Sequence, residues 1–175
     1  MLKPIRRIVT TNTADGRSRI LSDGPSPHVL ETASHRGLID LWAMAEGGPD
    51  TATPDGADRP VVLAPARGGN TFRIFQLPPA GVGENDRVLS ADVFARMGAS
   101  DAHDADAKHP NMHRTRSIDY IVLLSGRVKL ILDEEETILE PFDVVIQRET
   151  NHAWQNLSDQ PAQLIAVLID TSAGV

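Results

Sequence analysis

A chain of 175 residues with 41% hydrophobic and 23% charged residues is long enough for one globular domain with its own core, and its composition is not that of a disordered or fibrous protein. A formal net charge of −7 removes the basic footprint needed to hold a phosphate backbone, so nucleic acid is not an expected partner. With Cys at 0, disulfides, thiolate nucleophiles and cysteine-ligated zinc are excluded, and any metal falls to His, Asp and Glu.

The N-terminus, MLKPIRRIVTTN, is basic, but Thr10, Thr11 and Asn12 interrupt its apolar run before a signal-peptide core can form. RRIVTTN (6–12) and RSRILS (17–22) are strand-like runs joined by Thr13-Ala14-Asp15-Gly16, and Asp-Gly predicts a hairpin. DGPSP (23–27) is expected to end it, with Gly37 to Met44 as the next strand. Residues 46–60, rich in Gly, Pro and Asp, read as a loop. TFRIFQL (71–77) predicts a strand that stops at Pro78-Pro79. Ser90 is then placed as a helix N-cap with Asp92 in the first turn, Val93, Phe94 and Met97 at helical spacing, and Gly98 as the stop.

Two weaker patterns precede the last third of the chain. Gly81-Val82-Gly83 lacks the third glycine of a dinucleotide fingerprint. Asp101, His103, Asp104 and Asp106 do not have the spacing of a calcium loop and read as a solvated acidic loop. From Ser117 onward IDYIVLLSG, RVKLILD, ETILE, DVVIQ, HAWQN and QLIAVLID follow one another across short turns, which predicts an all-β sandwich or barrel. The acidic run DEEE (133–136) reads as a solvated turn. The longest apolar stretch, Leu164 to Ile169, is far short of the roughly 20 residues that cross a bilayer, so no membrane partner and a cytoplasmic location are expected.

The residues that carry chemistry lie within this β-rich region. His113, Thr115, Asp119 and Gly126 are followed by Phe142-Asp143-Val144-Val145-Ile146, His152 and Asn156. Their order and spacing resemble the two motifs of the cupin superfamily, with Thr115 where the first motif has its second histidine and Asp119 where it has glutamate. Phe142 and Glu149 stand where the second motif has glycines. More narrowly, HRTRSIDY with QRETNHAWQN is similar to small single-domain bacterial cupins, and segments 6–44 and 71–79 are similar to their N-terminal portion.

The resemblance implies a double-stranded β-helix, or jelly-roll barrel, with an N-terminal β extension and one short helix. Residues 1–112 would complete the barrel and 113–170 would carry its motifs, in a single domain. It also implies a divalent metal (Fe, Mn, Ni, Cu or Zn) at His113, Asp119 and His152, and a homodimer formed through the N-terminal strands. A straight strand would separate His113 from Asp119 by about 20 Å, so the chain has to turn within Arg114 to Ile118.

Four further residues are candidates for ligand binding: Thr115, Trp154, Arg148 and His109. Trp154 shares the parity of His152 and lines the pocket or packs in the core. Arg148 holds a carboxylate substrate or is a solvated turn residue. His109 supplies a third imidazole if HPNMH folds over the barrel mouth, whereas Pro110 favours a plain loop. Strand alternation sends Asp119 and Tyr120 to opposite faces. Two functions remain open: a small-molecule-binding cupin with a divalent-metal site, and a metal-dependent cupin enzyme (dioxygenase, isomerase or decarboxylase) acting on a small oxygenated substrate.

Overall fold

The hairpin forms where Asp15-Gly16 predicts it. β1 (Arg6–Asn12) and β2 (Ser18–Pro25) pair antiparallel as a two-stranded sheet, and Gly16 takes the left-handed conformation (φ 81°) of the turn. The structure, a computed structural model, describes residues 1–45, 54–83, 86–104 and 106–172; of the predicted loop 46–60, residues 46–53 lie outside the described residues. DGPSP does not stop the hairpin at residue 23, because β2 continues to Pro25. A strand not anticipated, β3 (His28–Ala33), then folds back on β4 (Arg36–Met44) through His35 at φ 60°.

β5 (Asn70–Leu77) precedes the helix α1 (Arg87–Arg96), and six strands follow among the described residues: β6 (Ser117–Ser125), β7 (Val128–Leu132), β8 (Glu136–Leu139), β9 (Val144–Arg148), β10 (His152–Asn156) and β11 (Ala162–Asp170). They make a six-stranded sheet, β3-β4-β5-β11-β6-β9, and a three-stranded one, β10-β7-β8. Strands from both halves of the chain thus share the large sheet, and the two sheets enclose a jelly-roll barrel. The turn between β6 and β7 needs Gly126, at φ 89°, since a Cβ there would lie 2.6 Å from the Ala162 Cβ.

The helix starts earlier than its sequence suggests. Asp86 is the N-cap, its carboxylate accepting from the Leu89 amide at 2.9 Å. Ser90 instead lies inside the helix, buried, and its hydroxyl donates to Asn111 Oδ1 at 2.8 Å; Asp92 is consequently not in the first turn. Gly98 ends the helix at φ 61°, as expected. Val93, Phe94 and Met97 pack on Leu38, Val61 and Leu63, which closes one end of the barrel. The main core lies between the sheets, where Ile121, Leu123, Leu164 and Leu168 meet Val128, Leu130, Leu139 and Trp154.

β11 lies between β5 and β6, and its register decides what the interior holds. Ala166 pairs with Arg73 on one side and Ile121 on the other, and Leu168 pairs with Thr71 and Asp119. An arginine therefore enters an apolar interior. Arg73 is 1% exposed and its Nη2 lies 2.8 Å from Oδ1 of Asp40, which is 0% exposed. Its Nη1 and Nη2 also donate to the Leu63 and Val62 carbonyls at 2.8 and 2.7 Å, tying that segment to the sheet. Burial pushes Asp40 up and Arg73 down, and the contact between them opposes both shifts.

Removing one partner leaves an uncompensated charge in the core. Arg73→Met is expected to cost about 3 to 5 kcal/mol in urea unfolding, whereas Arg73→Met combined with Asp40→Leu recovers most of that loss. A double variant no more stable than the single one would show that the pair does not act as a unit.

Candidate functional site

His113, Thr115, Asp119, His152 and Trp154 all line one cavity of about 110 Å³ inside the barrel. The chain turns where the distance argument requires it: His113 makes isolated bridges with His103 and His152, residues 114–116 break the strand, and β6 begins at Ser117. The backbones of His113 and His152 exchange both hydrogen bonds at 3.0 Å, and their rings stand 4.3 Å apart. Asp119 points inward at 4% exposure while Tyr120, its neighbour, is 49% exposed on the outer face.

The two imidazoles are set alike. His113 Nδ1 is 2.9 Å from the Asn111 carbonyl, and His152 Nδ1 is 2.9 Å from the Thr150 carbonyl. A carbonyl can only accept, so each Nδ1 carries the hydrogen and each neutral ring keeps a lone pair on Nε2. Burial lowers His113 to about 3, with His152 adding to the effect, and lowers His152 to about 4. Both rings are uncharged at neutral pH.

Asp119 moves the other way. Burial raises its carboxyl to about 6, against the lowering effects of the Ser117 hydroxyl and the Arg73 guanidinium. Its Oδ1 is buried without a hydrogen-bond partner. The Thr115 and Ser117 hydroxyls lie 2.9 Å apart beside it, within hydrogen-bond distance.

Two predicted ligand residues fall outside this cavity. Arg148 is exposed on β9, pairing with Ile118 at the edge of the large sheet, because its parity is opposite to that of buried Gln147. His109 is buried in the loop before the motif, where its Nδ1 accepts from the Asn111 amide at 3.2 Å, and it does not line the cavity. The metal set is incomplete in another way. Pinned Nδ1 atoms and open Nε2 lone pairs suit His113 and His152 to ligation, but among the described residues no three His, Asp or Glu side chains gather into a metal site. Asp119 shares the cavity of the two histidines without completing a coordination sphere.

Sequence reading missed three residues at this site. Arg73 lines the cavity from β5, and its inward parity beside Thr71 and Phe75 in TFRIFQL was the available signal. Phe94 of α1 also lines the cavity, 5.0 Å from the His113 ring. His103 belongs not to a free acidic loop but to the ladder beside His113, with its ring stacked on Phe94 at 4.6 Å. No local signal marks that pairing.

The second motif is also present in backbone form. Phe142 and Glu149, at the two expected glycine positions, hold positive φ of 75° and 51°. The turns have kept their left-handed shape while losing the residue that adopts it most easily, at a cost of roughly 1 to 2 kcal/mol each. A cupin-domain family model matches residues 103–168. That stretch of the chain is a cupin domain.

Curated relatives of this cupin include phomopsin biosynthesis cluster protein C' of Diaporthe leptostromiformis, 56% identical over 48 residues, which is 27% of this chain and 25% of that protein. The cupin-domain-containing oxidoreductase fogC of Aspergillus ruber is 40% identical over 63 residues, 34% of this chain and 31% of that protein. The chain thus aligns with about a quarter to a third of the length of these relatives. They are fungal, whereas the sequence resemblance points to bacterial cupins. Among solved structures, the Schizosaccharomyces pombe Cnp3 cupin domain is 8% identical, with a TM-score of 0.48 over 95% of this chain and 88% of that one. Among the described residues no helix is long and apolar enough to cross a membrane.

The raised carboxyl gives the cupin a definite pH signature. A folded value of about 6 against an ordinary one of about 4 means that Asp119 contributes its stability below about pH 4, and that this contribution is lost as pH rises through 6. Asp119→Asn is expected to gain about 2 to 3 kcal/mol on the wild type between pH 4 and pH 8 in paired urea titrations. The histidine contributions cancel in that comparison. A difference independent of pH would contradict the assignment.

Proposed function

We propose that this cupin binds a small, largely apolar organic molecule inside its barrel, with His113, His152, Asp119 and Thr115 as the polar contacts. One observation carries the reading: two uncharged imidazoles with open Nε2 lone pairs face a cavity whose other walls include Leu38, Phe75, Ile121 and Trp154. An apolar cavity with a few convergent polar groups is the usual form of a small-molecule site. Asp119, titrating near neutrality, supplies a group able to take or give a proton there.

A second reading, metal-dependent catalysis on a small oxygenated substrate, is favoured by the same histidines. Their Nδ1 atoms are held as those of metal ligands usually are, and several relatives are named oxidoreductases. The ion would be one of Fe, Mn, Ni, Cu or Zn.

Ligand-observed NMR with single-ring hydrocarbons tests the first reading. Saturable binding to the wild type, lost when Ala166→Leu fills the cavity, is the expected result, and no binding of any such probe to the folded protein would contradict it. Metal analysis of protein purified without chelator tests the second. One equivalent, lost in both His113→Ala and His152→Ala, would establish metal-dependent chemistry, whereas metal that survives both substitutions would remove these histidines from the site.

A further inference from the structure

The cavity reading leaves the chemical class of the ligand open, and the ring geometry narrows it. The whole chain has only 4 Phe, 2 Trp and 1 Tyr, yet Phe75, Phe94 and Trp154 all line this one cavity. With the histidines they form a continuous ribbon: Phe94 to His113 at 5.0 Å, His113 to His152 at 4.3 Å, His152 to Trp154 at 5.6 Å and Trp154 to Phe75 at 6.0 Å. Such a wall is complementary to a flat ring, by stacked or edge contacts. A cavity of about 110 Å³ is on the scale of the engineered cavity of about 150 Å³ that holds benzene, which limits the ligand to one ring.

The two imidazoles on that wall offer polar atoms of one kind. With Nδ1 of both histidines donating to Asn111 and Thr150 carbonyls, their Nε2 atoms can only accept, and the partner they lack is a hydrogen-bond donor. Both arginines that line the cavity are engaged, Arg73 with Asp40 and the Leu63 and Val62 carbonyls, and Arg36 with Asn111 Oδ1. Asp119 in the same cavity disfavours a second carboxylate. A neutral ring with a hydroxyl satisfies these conditions, and a benzoate does not.

We infer that the cavity is a phenol site, in which a single aromatic ring lies along Phe94, His113, His152 and Trp154 and its hydroxyl donates to an imidazole Nε2. The inference rests on the small-molecule reading above and names its ligand class. Phenol and toluene have nearly the same shape, so their ranking isolates the hydroxyl. A purely apolar cavity prefers toluene, because phenol gives up its hydrogen bonds to water on entering. A waiting acceptor reverses that order.

The experiment is calorimetric titration of the full chain with phenol, toluene and benzoate, with and without chelator, alongside ¹⁵N spectra of the histidine rings. Phenol should bind about 10-fold more tightly than toluene, benzoate least, and chelator should change nothing. Phenol, and not toluene, should move an Nε2 resonance, a readout that needs no substitution. His113→Leu and His152→Leu, checked for folding by circular dichroism, test which ring receives the hydroxyl, and at least one should lose the preference for phenol. Toluene binding as tightly as phenol would overturn the phenol assignment and leave the small-molecule reading standing. Binding of neither would overturn both. A preference abolished by chelator would show that an ion reads the hydroxyl, which also overturns the assignment to Nε2.

Discussion

Arg73 is the residue on which the interior of this barrel depends. Its guanidinium sits on the inward face of β5, next to Ala166 of the strand between the two halves of the large sheet. Left alone, a charge at that depth would be prohibitive. Asp40 on the neighbouring strand and the Val62 and Leu63 carbonyls compensate it, and in doing so hold the 62–63 segment against the sheet. Leu63 then supports α1 through the Val93, Phe94 and Met97 cluster, and α1 closes the cavity. One ion pair thus links the floor of the barrel to its cover.

The same desolvation that makes the pair expensive sets the chemistry of the site. In water, Asp119 would be ionised and the two histidines would titrate near neutrality. Inside the barrel the order is nearly inverted, with the carboxyl at about 6 and the imidazoles at about 3 and 4. The cavity therefore presents two neutral imidazole acceptors beside one carboxyl on a mainly apolar wall. Thr115, in place of a second motif histidine, puts a neutral hydroxyl there, 2.9 Å from that of Ser117.

The sequence was legible where local rules dominate. Short strands with turn residues between them, the Asp15-Gly16 hairpin and the opposite faces of Asp119 and Tyr120 all emerged from alternation and turn chemistry. β3 was hidden because Pro25 and Pro27 immediately precede it, and its pairing partner lies across a turn through His35 rather than a glycine. The helix start was misread because Ser90 has the chemistry of a cap, and only its buried bond to Asn111 shows another use.

Within the site, motif spacing found the residues of the two β segments but not those that reach it from elsewhere. His103, Phe94 and Arg73 arrive through non-local pairing and packing, which no spacing rule encodes. Arg148 failed on parity, one residue away from the inward-facing Gln147. Phe142 and Glu149 stand where the second motif has glycines, and both hold the left-handed backbone that favours glycine. Backbone shape has outlasted residue identity there.

The central claim is that burial sets the protonation of the cavity. Direct NMR titration of the His152 ring nitrogens and the Asp119 carboxyl carbon in the folded protein tests it most directly. The account predicts that His152 stays neutral, with hydrogen on Nδ1, down to about pH 4, while Asp119 takes up its proton near pH 6. Ordinary values for both, near 6.5 for the imidazole and near 4 for the carboxyl, would mean that water reaches the cavity freely, and the account would be wrong.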